Sequence, residues 1–135
     1  MSVIALTAAQ VEPCFPDKAE IFTLVASEAI TKGQTVYQTT AGTAAIATAS
    51  QQFRGIALET VGAGAAVPVL KCGHVYGYTL TAVAYDALVY VGDTMGRLET
   101  AAGSTTVNGG RVMALADNDL TKVLYVDADW RRTWA

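Results

Sequence analysis

The chain has little of what most protein chemistry requires. It carries one histidine, His74, two cysteines and three prolines, and only 16% of its residues are charged, against about a quarter in ordinary soluble domains. One histidine excludes a His-rich metal centre, and a zinc site assembled from Cys14, Cys72, His74 and a carboxylate would lack any paired ligand spacing. Cys14 and Cys72 form no CxxC, so two reduced thiols are expected rather than a disulfide framework. Nine basic residues stand against twelve acidic ones, for a net charge of −3, and Arg131-Arg132 is the densest basic run. A nucleic-acid partner is therefore not expected. No apolar run approaches the ~18 residues of a membrane span, and the N-terminus lacks a charged region ahead of an apolar one, so neither a membrane partner nor an export signal is expected.

Catalytic and cofactor motifs are missing as well. Ser27, Ser50 and Ser104 sit in no G-x-S-x-G elbow. Asp117-Asn118-Asp119 begins like a calcium loop, but the glycine position holds Lys122 and the final ligand position holds Ala128. Gly62-Ala63-Gly64 lacks the third glycine of a dinucleotide fingerprint. Neither a catalytic constellation nor a cofactor is expected.

What remains is apolar and small. Hydrophobic residues make up 52% of 135 residues, enough for one self-sufficient domain. With so little charge, much of the surface is neutral Ala and Thr, a composition suited to burial against partners and hence to an assembly component. Short β-branched and aromatic runs separated by Gly, Asn and Asp predict an all-β domain, a small β-barrel or sandwich. The predicted strands are Ile21–Ser27 (apolar on both faces, so covered on both), Thr35–Thr39, a weak one around Ile46, two or three short ones between Phe53 and Tyr78, Ala87–Val91, Arg97–Thr100, Gly110–Ala116 and Lys122–Asp127. Gly62, Gly64 and Gly73 are expected to set turns. Thr79–Ala87 has helical spacing and is predicted as one helical turn over the barrel mouth.

Three segments follow: an extended N-terminal arm (1–20), the β-domain (21–127) and a C-terminal tail (128–135). Pro13 and Pro16 bracket Phe15 and break any regular element there. The arm's apolar content (Val3, Ile4, Leu6, Val11, Phe15) requires something to lie on, either its own barrel or a neighbour. In the tail, Trp130 and Trp134 flank Arg131, the residue types that dominate protein–protein hot spots. Val3, Ile4, Leu6, Val11, Pro13, Phe15, Pro16, Trp130, Arg131 and Trp134 are accordingly the expected interface residues. An internal echo also runs through the chain: Val36-Tyr37, Gly42, Ile46 and Gly55-Ile-Ala-Leu58 recur in order as Val89-Tyr90, Gly96, Leu98 and Gly110-Arg-Val-Met-Ala-Leu115. Used twice, such a unit would close a pseudo-symmetric barrel and remove its edges.

The ordered set Lys32-Gly-Gln-Thr-Val-Tyr37, Arg54-Gly-Ile-Ala-Leu-Glu59, Gly62-Ala-Gly64 leading into Val67-Pro-Val69, Gly73-His-Val75, Ala87–Leu98, Gly110–Ala116 and Leu124-Tyr-Val-Asp127 resembles the small capsid decoration, or cement, proteins of tailed bacteriophages (the DUF2190-type group). The resemblance covers about residues 20 to 127 and brings no catalytic residues. It implies a compact β-barrel or β-tulip-like sandwich that forms a homotrimer on the outer surface of a phage head, assembled in the host cytoplasm, with the major capsid protein as partner. Two other functions compete. A carbohydrate- or host-surface-binding module would stack sugars on Tyr76, Tyr78, Trp130 and Trp134. A small hydrolase would need His74 beside a serine or cysteine.

Overall fold

The computed structural model of the chain describes residues 3–130. Nine strands form one antiparallel sheet: β1 (Glu20–Val25), β2 (Thr35–Gln38), β3 (Ala44–Ile46), β4 (Phe53–Ala57), β5 (Ala66–Val75), β6 (Leu88–Val91), β7 (Leu98–Glu99), β8 (Asn108–Ala114) and β9 (Lys122–Asp127). The order is β3-β2-β4-β5-β9-β8-β6-β7, with β1 against β5 outside this path. The sheet curls into a half-barrel, so the all-β expectation holds.

The internal echo is structural. Exchanging β2, β3, β4 and β5 for β6, β7, β8 and β9 maps the strand order onto its own reverse. In each half the ladder slips at the same point, between Val36 and Tyr37 in β2 and between Val89 and Tyr90 in β6. The glycine opposite the slip is Gly55 in one half and Gly110 in the other, with φ of 153° and 155°. A side chain at Gly55 would run into the Leu70 carbonyl, and one at Gly110 into the Tyr125 carbonyl. Only a residue without Cβ lets the neighbouring backbone approach so closely. The halves meet at the pair Cys72–Asp127, flanked by Gly73–Val126 and by the Ala128 N–H bond to the Lys71 carbonyl.

β5 is the spine of the sheet. Its first part lies between β1 and β4, and its last part pairs with β9. Val67 and Val69 join a small cluster with Ala26, Ile30, Val36 and Ala57. Leu70 and Val75 join the main core with Phe53, Ile56, Val89, Leu98, Val112 and Leu124. Pro68 is tolerated in this central strand because β4 has ended at Ala57, and its carbonyl accepts the Leu58 N–H at 2.9 Å.

The arm lies on its own domain. Its backbone bonds run from Ile4 N to Leu98 O (2.8 Å), from Thr7 N to Gly77 O (2.8 Å) and from Cys14 N to His74 O (2.9 Å). Ile4 and Val11 are buried members of the main core, and Leu6 packs against it. The Arg97 guanidinium also donates to the Ile4 carbonyl at 2.7 Å. The arm therefore differs from the domain in backbone regularity, while its apolar side chains complete the core.

Four local expectations are corrected. β1 is not covered on both faces: it pairs with β5 alone, and Ile21 and Val25 are 44% and 50% exposed, while only Phe22 and Leu24 pack inward. Thr79–Ala87 makes turns closed by Val83 N to Leu80 O and Ala87 N to Ala84 O, with no helix. The piece is too short to nucleate a helix, and Lys122 Nζ takes the Val83 carbonyl at 2.6 Å. Gly73 lies within β5 rather than in a turn. Finally, the small barrel that the sequence predicts is present as a half-barrel, without the full closure the repeat would give: β3 and β7, the strands that would meet, are only 3 and 2 residues long. Their loops meet through Gly96 N to Ala47 O (2.8 Å) and Ala49 N to Gly92 O (2.9 Å). The arm shields β7 through Ile4 and Leu98, and Ser27 N shields β3 by bonding Ala44 O.

Candidate functional site

The expected interface residues fall into three groups. Ile4 and Val11 are enclosed in the chain's own core, and Leu6 is half-buried against it, so the apolar contact they make is intramolecular. Val3, Pro13, Phe15, Pro16 and Trp130 remain at the surface, with Phe15 42% and Trp130 40% exposed. Arg131 and Trp134 lie outside the described residues.

Phe15 and Trp130 stand at opposite ends of one outward face built on β5 and β9. Phe15, held between Pro13 and the short 3-10 turn Pro16–Lys18, packs edge-on against His74 at 5.4 Å between ring centroids. His74 sits opposite Tyr125 in the ladder, with ring centroids 4.9 Å apart. The Tyr125 hydroxyl and the Cys72 thiol share a hydrogen bond at 3.0 Å. That bond, followed by burial, pushes the Tyr125 phenol up to about 12, so it stays a neutral hydroxyl at physiological pH. Beyond Cys72 the face continues through the Lys71–Glu20 ion pair (3.1 Å) to Trp130. Trp130 folds back onto its own sheet: its indole N–H donates to the Arg54 carbonyl at 2.9 Å, its ring meets Phe22 edge-on at 4.5 Å, and Lys71 Nζ lies 4.9 Å above it. Two open depressions share Cys72, one lined by Phe15, His74 and Tyr125 and the next by Lys71, Asp127 and Trp130.

Cys72, His74 and Tyr125 are the part of this face that the sequence analysis missed. His74 and Tyr125 meet only through the β5–β9 register, which no local pattern states. Their signal was the period-2 alternation of polar positions, Cys72 with His74 and Tyr125 with Asp127, around buried Gly73 and Val126.

The competing chemistries find no support in this geometry. No side-chain hydrogen bond joins His74 to a serine or cysteine among the described residues; its partners are the Phe15 and Tyr125 rings. Cys14 and Cys72 are free thiols, and burial pushes Cys14 up from its ordinary value, an effect partly offset by its hydrogen bond with Tyr76. Among the described residues no three His, Cys, Asp or Glu side chains gather as a metal site, and no helix is long and apolar enough to cross a membrane. The proposed sugar platform does not form: Tyr78 is buried, with its hydroxyl donating to Gly33 O at 2.7 Å. Tyr76 lies just past the C-terminal end of β5, on the arm's side, while Trp130 lies by Arg54 and Phe22.

Comparison with known protein families supports the structural reading. Residues 12–126 match the phage family described as structural cement protein (E217 gp24/Pam3 gp6). The chain belongs to the phage structural cement proteins. Its role is accordingly structural and its place is the virion. The match holds at the level of the cement family and carries no finer group label. No curated protein and no solved structure matches this cement chain. The matched span begins at Glu12 and includes Phe15, β5 and β9, so nearly the whole outward aromatic face is family sequence, while Trp130 lies beyond it.

His74 gives this face a pH signature. Burial lowers its pKa below the ordinary 6.5, so the unfolded cement chain takes up the proton first as pH falls. Stability is whole above 6.5, declines as pH drops through it, and levels off below the folded value. Urea midpoints at about pH 7.5 and about pH 5 check this: the His74→Asn chain is expected to lose less on acidification than the parent.

Proposed function

We propose that the chain binds the outer surface of a phage head as a trimer and cements neighbouring major capsid subunits. The cement-family match over residues 12–126 carries this proposal. The face from Phe15 to Trp130 is the surface offered to the shell. Its exposed aromatic rings, Phe15 at one end and Trp130 at the other, are of the residue class that anchors interface centres, and the Lys71–Glu20 pair and Asp127 between them offer polar contacts. It also rests on a rigid two-strand ladder, so little ordering cost attends docking. Three chains joined in one particle would bind cooperatively, since the first contact raises the effective concentration of the other two.

Sedimentation of purified chain with expanded heads lacking it tests the proposal, read against stoichiometry and against the mass of the free protein. Three copies of a 14.1 kDa chain are expected in light scattering. Phe15→Ala is expected to weaken head binding by about tenfold or more, because an aromatic anchor at an interface centre is worth about 2 kcal/mol. Unfolding of the free protein should be nearly unchanged, because Phe15 is exposed. Full head binding by Phe15→Ala would remove this face from the contact. A monomer in solution that also fails to sediment with heads would refute the proposal itself.

A further inference from the structure

Among the described residues the sheet has three outer strand edges, at β7, β3 and β1, and the chain treats them differently. At β7 the arm bonds across from Ile4, and at β3 the segment at Ser27 bonds Ala44. The outer edge of β1 receives no backbone hydrogen bond among the described residues, since its ladder is with β5 only. Which groups face outward follows from the register. Ala26 N bonds Ala65 O, and Gly64 N bonds Ala26 O, so Leu24 and Phe22 direct their N–H and C=O groups to β5. Ile21, Thr23 and Val25 therefore direct theirs away from it.

Natural sheets blunt such an edge with lysine, proline, a bulge or an inward charge. β1 has none of these over Ile21–Val25; its one register shift lies at Glu20/Ile21, before the open stretch. The exposed side chains on that stretch are Ile21, Thr23 and Val25, all β-branched and uncharged, and Glu20 is already paired with Lys71. The order Ile21-Phe22-Thr23-Leu24-Val25 is also self-complementary in the antiparallel sense. With Thr23 opposite Thr23 of a second copy, Ile21 meets Val25 twice and Phe22 meets Leu24 twice. No like charges face each other.

We propose that β1 is a strand-pairing edge for a second copy of this chain, joined antiparallel about a two-fold axis through Thr23. The pairing satisfies the outward groups of Ile21, Thr23 and Val25 in both copies, about six backbone hydrogen bonds, and continues the sheet across the axis. Such a contact is isologous. It is independent of the trimer and of the shell contact proposed above: it joins copies two at a time, so on a head it would link one three-fold set to the next. A single short strand buries much less than the ~1,200 Å² of a stable interface. The contact is therefore weak in dilute solution and strong where a head holds copies side by side.

Cysteine cross-linking tests this directly. In a chain with Cys14→Ala and Cys72→Ala, Thr23→Cys places two thiols across the axis. A hydrogen-bonded strand pair brings Cα atoms to about 5.5 Å, within disulfide range. Under mild oxidation at high protein concentration, and again on decorated heads, the 23–23 dimer is expected to exceed by about tenfold that of Thr106→Cys, an exposed position off the edge. Adding Ile21→Lys, which sets a charge on the edge without touching the β5 ladder, should abolish the excess while leaving the urea midpoint at that of the parent. A Thr23→Cys yield no higher than the control, in solution and on heads, would overturn the proposal. So would Ile21→Lys weakening the binding of single copies to heads while the 23–23 yield stays at the control level, since the edge would then be taken by a shell strand.

Discussion

A Gly110→Ala chain is expected not to hold the native fold. The added Cβ would meet the Tyr125 carbonyl, a backbone atom of β9 that cannot step aside without breaking the Gly110–Val126 and Arg111–Tyr125 pairs. The backbone there has φ of 155°, which L side chains rarely adopt, adding about 1–3 kcal/mol of strain. The sum is about 4–5 kcal/mol or more, the range reserved for a few structural mechanisms, against a total stability of about 5–15 kcal/mol. Gly55→Ala should be equally severe, because its Cβ meets the Leu70 carbonyl at the matching point of the other half. Gly64→Ala is the control: it also has positive φ, but nothing lies within 4 Å, so a loss of about 1–2 kcal/mol is expected. Urea unfolding of the three variants checks the ranking. Equal losses at all three would show that backbone conformation alone matters and that the close strand approach does not.

Removing residues 1–11 is expected to cost nearly as much. The deletion takes Ile4 and Val11 out of the main core, and a buried Ile or similar residue reduced to nothing costs about 2–5 kcal/mol. It also uncovers β7, where Ile4 bonds Leu98, and leaves the Arg97 guanidinium without the Ile4 carbonyl. A loss of about 5 kcal/mol in the free protein follows. The contrast with Phe15→Ala is diagnostic: the deletion should act on folding before any shell is present, whereas Phe15→Ala should act on shell binding alone. A deletion chain as stable as the parent would mean that the arm is only a tether.

The all-β class was legible because short β-branched runs punctuated by glycine admit few other folds, and the repeat was legible in Val36-Tyr37 with Gly55 and Val89-Tyr90 with Gly110. The sheet's openness was not. Closure depends on the lengths of β3 and β7, and a two-residue strand such as Leu98–Glu99 leaves almost no pattern. The exposure of β1 was misjudged for a related reason. An unbroken apolar run such as Ile21-Phe-Thr-Leu-Val25 is written the same way whether its second face is covered by its own chain or left open. The arm's apolar residues announced a contact, but Ile4 and Val11 turned out to serve the core while Phe15, a few positions on, stays outside. Whether each side chain turns inward or outward is a matter of tertiary path. Of the outward face, Phe15 and Trp130 were visible as aromatics in breaker-rich segments; Cys72, His74 and Tyr125 needed the β5–β9 register to become one surface.

The proposed cementing role comes down to whether the chain strengthens a filled head. Clamping adds buried contact to the assembled shell only, so it stabilises that state by mass action. The direct measurement is the temperature at which DNA escapes from filled heads lacking the chain, with and without saturating purified protein, followed by a dye that reports released DNA. An upward shift on addition, smaller for Phe15→Ala at the same concentration, is the expected result. An escape temperature unchanged by the parent chain, on heads that sedimentation shows to be fully decorated, would contradict it.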